Sequence, residues 1–133
     1  MMRRRDFLGG VAAAGALALG SASGTALLAC AADDPLERAL RAFFADREAA
    51  SEVGREILAL DPDAARPEVL VERLARERGA ELRALAGPDP EGLVELLREQ
   101  HRRDFAEDRV VVVRGWVLSQ TEAWLLALSA LPE

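Results

Sequence analysis

The chain has 133 residues, 17 of them basic and 23 acidic, which gives a formal net charge of −6. This acidic balance argues against nucleic acid as a partner and against electrostatic docking on anionic lipid. One histidine and one cysteine are too few for a zinc, haem-thiolate or iron–sulfur site, and a single cysteine allows no intrachain disulfide.

The amino-terminal residues have the pattern of an export signal. Arg4 and Arg5 are adjacent, and after one polar residue come Phe7 and Leu8. The uncharged run that follows is diluted by glycine, which lowers both its hydrophobicity and its helix propensity. This arrangement resembles a twin-arginine (Tat) signal, the address of the bacterial pathway that exports folded proteins. We therefore predict that residues 1–29 are a Tat signal peptide and that the Tat translocase is a partner during export.

The predicted signal ends at Cys30, and Leu27-Leu28-Ala29-Cys30 resembles a lipobox, in which the cysteine is acylated and the chain is cut before it. We favour lipidation because the single cysteine lies at the one place where acylation would use it. Two alternatives stay open: cleavage by the ordinary signal peptidase, and retention of the uncharged run as a membrane anchor. The predicted location is the periplasm or cell envelope, with the protein anchored to the membrane through the lipid on Cys30.

Removal of the signal leaves 14 basic and 22 acidic residues, a net charge of −8. Residues 30–133 are long enough for one small domain with a modest core. Their apolar spacing predicts a mainly α fold, a small helical bundle of about five helices with one short β strand or hairpin near the C-terminus.

The first two helices are predicted from their start signals and apolar faces. Asp34-Pro35 marks the start of the first helix, because aspartate caps a helix and proline fits its first position. The second helix runs from about Asp46 to Leu60, which lies in register with the apolar face. Ala50 and Gly54 are one turn apart, which indicates a close crossing with another helix.

The next two helices are separated by strong turn signals. Pro67 opens the third helix, whose leucine stripe extends to Leu85, with Gly79 as a candidate interruption. The segment 87–90 combines a glycine cap with an Asp-Pro start, and a fourth helix follows that carries Phe105 among its apolar residues.

The apolar period changes after the fourth helix. Residues 110–113 are four consecutive valines, typical of a short buried strand. This strand either pairs with residues 116–118 across Arg114-Gly115 or lies as an extended strap over the helices. Ser119 then begins a capping box for a final helix, in which every third or fourth residue from Leu125 faces the core.

Two stretches of the chain look familiar: residues 49–58, and the segment around Gly115–Ala123, which reads Gly-Trp-x-Leu-Ser-x-Thr-Glu-Ala. Together with the signal, they resemble a group of small Tat-exported bacterial proteins of unassigned activity. The resemblance implies a shared small helical fold and export. It implies no reaction and no cofactor.

The sequence contains no calcium loop, no phosphate-binding glycine loop and no clear catalytic signature. His101 and Asp104 are three residues apart on a predicted helix, and Ser119 is a conceivable nucleophile near them. The opposing interpretation is a solvated histidine in a charged run and a serine that caps a helix, which we favour. No cofactor is predicted.

Trp116 and Trp124 are the candidate partner-binding residues, because tryptophan is the strongest single anchor at protein interfaces. Both residues also fit as core fillers in a small domain, and that interpretation is favoured. Trp124 is offset from the Leu125 face, so the sequence predicts it to be the more exposed of the two.

The export route and the absence of a cofactor motif together point to an accessory, assembly or tethering subunit. Proteins often fold before export because they carry a cofactor or travel with a partner that does. The predicted partner is therefore an exported cofactor-containing enzyme, such as an oxidoreductase. The alternatives are a solitary binding lipoprotein and a small exported hydrolase that uses His101 and Asp104.

Overall fold

The computed structural model describes residues 34–133, which fold into six α-helices, one 3-10 turn and a two-stranded hairpin. The elements in chain order are α1 (Pro35–Arg41), α2 (Arg47–Leu60), the 3-10 turn (Pro62–Ala64), α3 (Pro67–Leu74), α4 (Gly79–Leu85), α5 (Pro90–Ala106), β1 (Val110–Val113), β2 (Trp116–Ser119) and α6 (Gln120–Ala130). The prediction of a mainly α fold with a hairpin near the C-terminus is confirmed.

Local sequence signals account for where several helices begin. The side chains of Asp46 and Asp89 each accept a hydrogen bond of 3.0 Å from a backbone N–H of the helix they precede. Ser119 does the same for α6 through its bond from the Glu122 N–H, also at 3.0 Å. These bonds satisfy amide groups that have no partner inside the helix, so each start is fixed by its own residues.

The predicted third helix is divided into two. α3 ends at Leu74, and α4 begins at Gly79, the glycine that was the candidate interruption. Arg78, the residue before α4, donates hydrogen bonds to Glu81 on α4 and to Glu99 on α5. This pairing ties the start of α4 to α5.

α6 is the central helix of the part of the chain that the structure describes. It contacts α1, α2, α3 and α5, and its residues from Leu125 to Leu128 are all buried. An apolar helix that is buried on most sides is expected at the centre of a small bundle. Its carboxyl end is capped by the buried side chain of Arg41, which donates to the carbonyl oxygens of Leu128 at 3.0 Å and Leu131 at 2.9 Å.

The predicted close crossing lies between α2 and α6. A β-carbon added to Gly54 would overlap the carbonyl group of Leu126 and approach the β-carbon of Ala130. The two helix backbones are therefore close enough that only glycine fits at this position. The placement of Leu60 in the apolar face was wrong, since it is the last residue of α2 and is 65% exposed.

The hairpin, rather than the extended strap, is the observed arrangement of residues 110–119. β1 and β2 pair antiparallel, with Val113 opposite Trp116 and Val111 opposite Leu118. Arg114 and Gly115 form the two-residue turn, both with positive φ (50° and 80°), as a hairpin of this length requires.

Candidate binding groove

Residues 34–133 contain an apolar groove of about 430 Å³, between α2, the hairpin and the N-terminal half of α6. Nine of its thirteen lining residues are apolar, which is typical of binding clefts of this size. The apolar residues are Phe44, Ala45, Ala49, Ala50, Val53, Val113, Trp116, Leu118 and Leu126.

The hairpin places one large aromatic side chain at the edge of this groove. Residues that pair directly across two strands project to the same face, so Trp116 lies on the side of its partner Val113. Val113 is buried, but Trp116 is 73% exposed. The Trp116 side chain therefore lines the groove, while most of its surface remains in contact with water.

Three carboxylates and one guanidinium complete the lining of the groove. Arg114, at the hairpin turn, forms an ion pair with Glu56 of α2, which connects the hairpin to that helix. Asp46 caps α2 and forms no ion pair with any residue in the described part of the chain. Glu122 lies 3.9 Å from the Nδ1 atom of His101. With three acidic groups against one basic group, the groove is net negative.

Trp124 is not the more exposed tryptophan, so that prediction was wrong. It is half-buried and packs against the core from α6. The guanidinium of Arg73 lies over its ring, 5.9 Å from the centroid, and also forms an ion pair with Asp61. The guanidinium of Arg73 therefore covers one face of the Trp124 ring.

His101 and Ser119 do meet, at 2.8 Å between Nδ1 and Oγ. Ser119 has no exposed surface, and its Oγ also accepts the capping hydrogen bond from the Glu122 N–H. A serine with its oxygen buried and engaged on two sides cannot reach a substrate, so this contact fits the capping interpretation. The edge-on contact between His101 and Phe105, at 5.0 Å, further fixes the ring.

Asp104 does not join His101 and Ser119 in a triad. Its carboxylate is buried and accepts from the Thr121 N–H at 2.7 Å and from Arg109 Nε at 3.0 Å. The hydrogen bond that the Arg109 guanidinium donates to Asp104 raises the pKa of Arg109. His101 and Asp104, one turn apart on α5, therefore both contact the N-terminus of α6. His101 contacts the capping residue Ser119, and Asp104 accepts from the Thr121 N–H. The negative charge of Asp104 is favourable beside the positive end of the helix dipole.

Gln100 completes this contact between α5 and α6. Its amide nitrogen donates to Thr121 Oγ1 at 3.1 Å and to the Leu74 carbonyl at 3.3 Å. Its Oε1 is buried and has no hydrogen-bond partner among residues 34–133.

The remaining predicted sites have different outcomes. Arg4, Arg5, Phe7, Leu8 and Cys30, and with them the signal and lipidation predictions, lie outside the described residues. Between residues 34 and 133, no three His, Cys, Asp or Glu side chains are grouped so that they would hold a metal ion. None of the helices in the same range combines the length and apolar character that crossing a membrane requires.

Sequence reasoning missed the groove and most of the residues that form it. Trp116 was a candidate, but Phe44 and Glu56 were not, and Arg114 was considered only as part of a turn. The available signal was the Arg114-Gly115 turn, which predicts a hairpin with Trp116 beside Val113. Nothing local indicates that α2 lies opposite that hairpin.

No protein-family profile, no curated protein and no solved structure matches this chain.

Proposed function

We propose that this protein is a Tat-exported accessory subunit, anchored by a lipid on Cys30, that holds a cofactor-containing partner enzyme through the groove at Trp116. The groove is the observation that carries the proposal. Its lining is mostly apolar and one large aromatic side chain lies exposed at its edge.

Exposure of Trp116 supports a binding role because leaving an indole ring in water sacrifices the free energy that burying it would give. Burying an aromatic side chain contributes about 1.5–3 kcal/mol. Val112 and Val117, on the opposite face of the hairpin, are 59% and 54% exposed. Both faces of the hairpin are therefore apolar, and the rest of the domain covers them only in part. An exposed apolar surface of this kind is typical of a site that a partner covers.

The rest of the domain supports a non-catalytic role. The polar residues that suggested hydrolysis hold the N-terminus of α6, and their hydrogen bonds are made within the fold. The export signal is predicted for cargo that folds in the cytoplasm, which suits a subunit that assembles with its partner before both are exported.

Photo-crosslinking tests the proposed subunit role. Trp116 is replaced by benzoylphenylalanine in the full chain, expressed in the native host, and the crosslinked protein is identified by mass spectrometry. We expect one dominant exported protein with the absorbance of a bound flavin, haem or other redox cofactor. The matched control carries the same probe at Leu60, which is also apolar and exposed but lies outside the groove. Crosslinks of equal yield at both positions, or a product without a cofactor-bearing protein, would refute the proposal.

Fractionation tests the anchor independently of the partner. We expect the wild-type protein in the membrane fraction of the envelope and Cys30→Ser in a different state, either uncleaved or released. Replacement of Arg4 and Arg5 by lysine should leave the chain in the cytoplasm. Wild-type behaviour of both variants would contradict the export and lipidation steps while leaving the groove unaffected.

A further inference from the structure

The chemistry of the groove defines what it binds. We propose that its occupant is a short amphipathic helix of the partner, about two turns long, with apolar side chains toward the groove and a lysine or arginine toward Asp46. This inference rests on the proposed function and deepens it by stating the partner's recognition element.

The shape of the groove favours a helix. One wall is a ridge of α2 that presents Ala49, Val53 and Glu56, spaced by four and three residues on one face. The ridge is about 10 Å long, which corresponds to two turns of a second helix laid beside it. Ala45, Ala49 and Ala50 are small, so the backbone of an incoming helix approaches closely there.

The opposite wall supplies the apolar anchor. Trp116 and Leu118 are alternate residues of β2 and lie on the same face as Val113. A helix seated against α2 would cover the exposed part of the Trp116 ring with side chains at i, i+3 or i+4. This is the helix-in-groove mode of recognition, in which spaced apolar anchors enter a hydrophobic cleft.

The charged residues of the groove determine which charge the occupant should carry. Glu56 is already paired with Arg114 at one end of the groove, whereas Asp46, at the other end of the α2 ridge, has no ion pair within residues 34–133. A cationic side chain at that end would complete a pair, and a carboxylate there would be repelled. The same charges disfavour a fatty acid or an anionic lipid.

Fluorescence anisotropy with a defined probe tests the inference. The probe is a labelled helical peptide with leucines at i, i+3, i+4 and i+7 and one terminal lysine, titrated with the full chain. Two further peptides serve as comparisons: one with glutamate in place of lysine, and one of the same composition with the leucine spacing scrambled. We expect the lysine peptide to bind more tightly than both.

Two substitutions with matched controls locate the binding. Asp46→Asn removes the charge but keeps the helix cap, because asparagine caps as well as aspartate, and should weaken binding of the lysine peptide about two- to five-fold. Asp89→Asn makes the same change at the cap of α5, outside the groove, and should leave binding unchanged. Trp116→Ala should weaken binding at least about ten-fold, and Leu60→Ala, which removes an exposed apolar side chain outside the groove, should not.

The other occupants are outcomes that overturn the inference. Equal binding of the three peptides would refute both the helical spacing and the positive charge of the occupant. Equal binding of the lysine peptide by wild type and Asp46→Asn would refute the contact between the lysine and Asp46. Dimerisation that Trp116→Ala abolishes, without peptide binding, would assign the groove to a second copy. Saturation by an alkyl alcohol without peptide binding would assign it to a small apolar molecule. A partner crosslinked at position 116 in any of these cases would leave the proposed function standing and refute only the recognition element.

Discussion

Asp108 has a left-handed backbone conformation (φ 60°) just after α5. The Arg109 N–H donates to the Asp104 carbonyl at 2.8 Å, and the Asp108 N–H donates to the Phe105 carbonyl at 3.3 Å. These two bonds form the Schellman motif, which ends a helix and usually places glycine at the left-handed position. A residue with a β-carbon is strained there, and a carboxylate at a helix C-terminus opposes the dipole.

Asp108→Gly is therefore expected to stabilise the domain. Relief of the left-handed strain and of the unfavourable charge should raise the free energy of unfolding by about 0.5–1 kcal/mol, measured by urea denaturation. Asp108→Ala is the control, because it removes the charge and keeps the β-carbon, and it should show little or no gain. A decrease for Asp108→Gly would mean that the exposed carboxylate makes a contact that stabilises the fold.

At the scale of the element, the contact between α2 and α6 sets the geometry of the groove. α2 forms one wall, and the first two turns of α6 contribute Glu122 and Leu126. The crossing is close because Gly54 has no side chain, so the width of the groove depends on one position in α2.

Gly54→Ala should destabilise the protein although alanine is the better helix former. The added β-carbon would overlap the Leu126 carbonyl, a backbone group that cannot move without shifting α6. Overpacking of this kind costs about 1–3 kcal/mol, more than the roughly 1 kcal/mol that alanine gains in helix propensity. Thermal unfolding measures the change. Gly79→Ala is the control, since its β-carbon would meet only Ala75, at 3.3 Å, and an equal loss there would contradict the packing argument.

At the scale of the whole molecule, arginine–carboxylate pairs connect elements that are distant in sequence. Arg78 bonds Glu81 and Glu99 across α4 and α5, and Arg47 at the start of α2 pairs with Glu133 at the C-terminus. The bond from Arg78 lowers the pKa of Glu81, and the bond from Arg47 lowers the pKa of Glu133. A carboxylate whose folded pKa is lowered stabilises the fold above its ordinary pKa, and that contribution is lost as the pH falls through the folded value.

The domain should therefore lose stability as the pH falls below 4.5, the ordinary pKa of both glutamates. Glu81→Gln cannot titrate, so its urea midpoint should fall less than that of the wild type between pH 5 and roughly pH 3. Glu52→Gln, on the exposed side of α2, makes the same charge change and should behave like the wild type. An identical pH profile for all three proteins would exclude Glu81 as a contributor.

Sequence reasoning succeeded where a few neighbouring residues decide the structure. Asp46 and Ser119 mark helix starts because the amide groups they cap lie three residues away, and Pro35 does so because its fixed φ and missing N–H suit the first helical position. The sequence left residues 110–118 as either a hairpin across Arg114-Gly115 or an extended strap, and the positive φ of both turn residues in the structure is what a two-residue hairpin connection requires. The helical class and the close crossing at Gly54 likewise followed from apolar and small-residue spacing.

The sequence by itself determined the helical class and the positions of the caps, since short-range hydrogen bonding and side-chain size set them. Only the tertiary structure decided which tryptophan faces water and which polar residues face each other. Trp124 was expected to be the more exposed of the two tryptophans, yet Arg73 from another helix lies over its ring, and Trp116 is 73% exposed. His101 and Asp104 likewise contact the start of α6 because the fold packs α5 against it. The exposure of a side chain depends on elements that are far apart in the sequence and meet in the fold, so residue spacing within one element does not predict it.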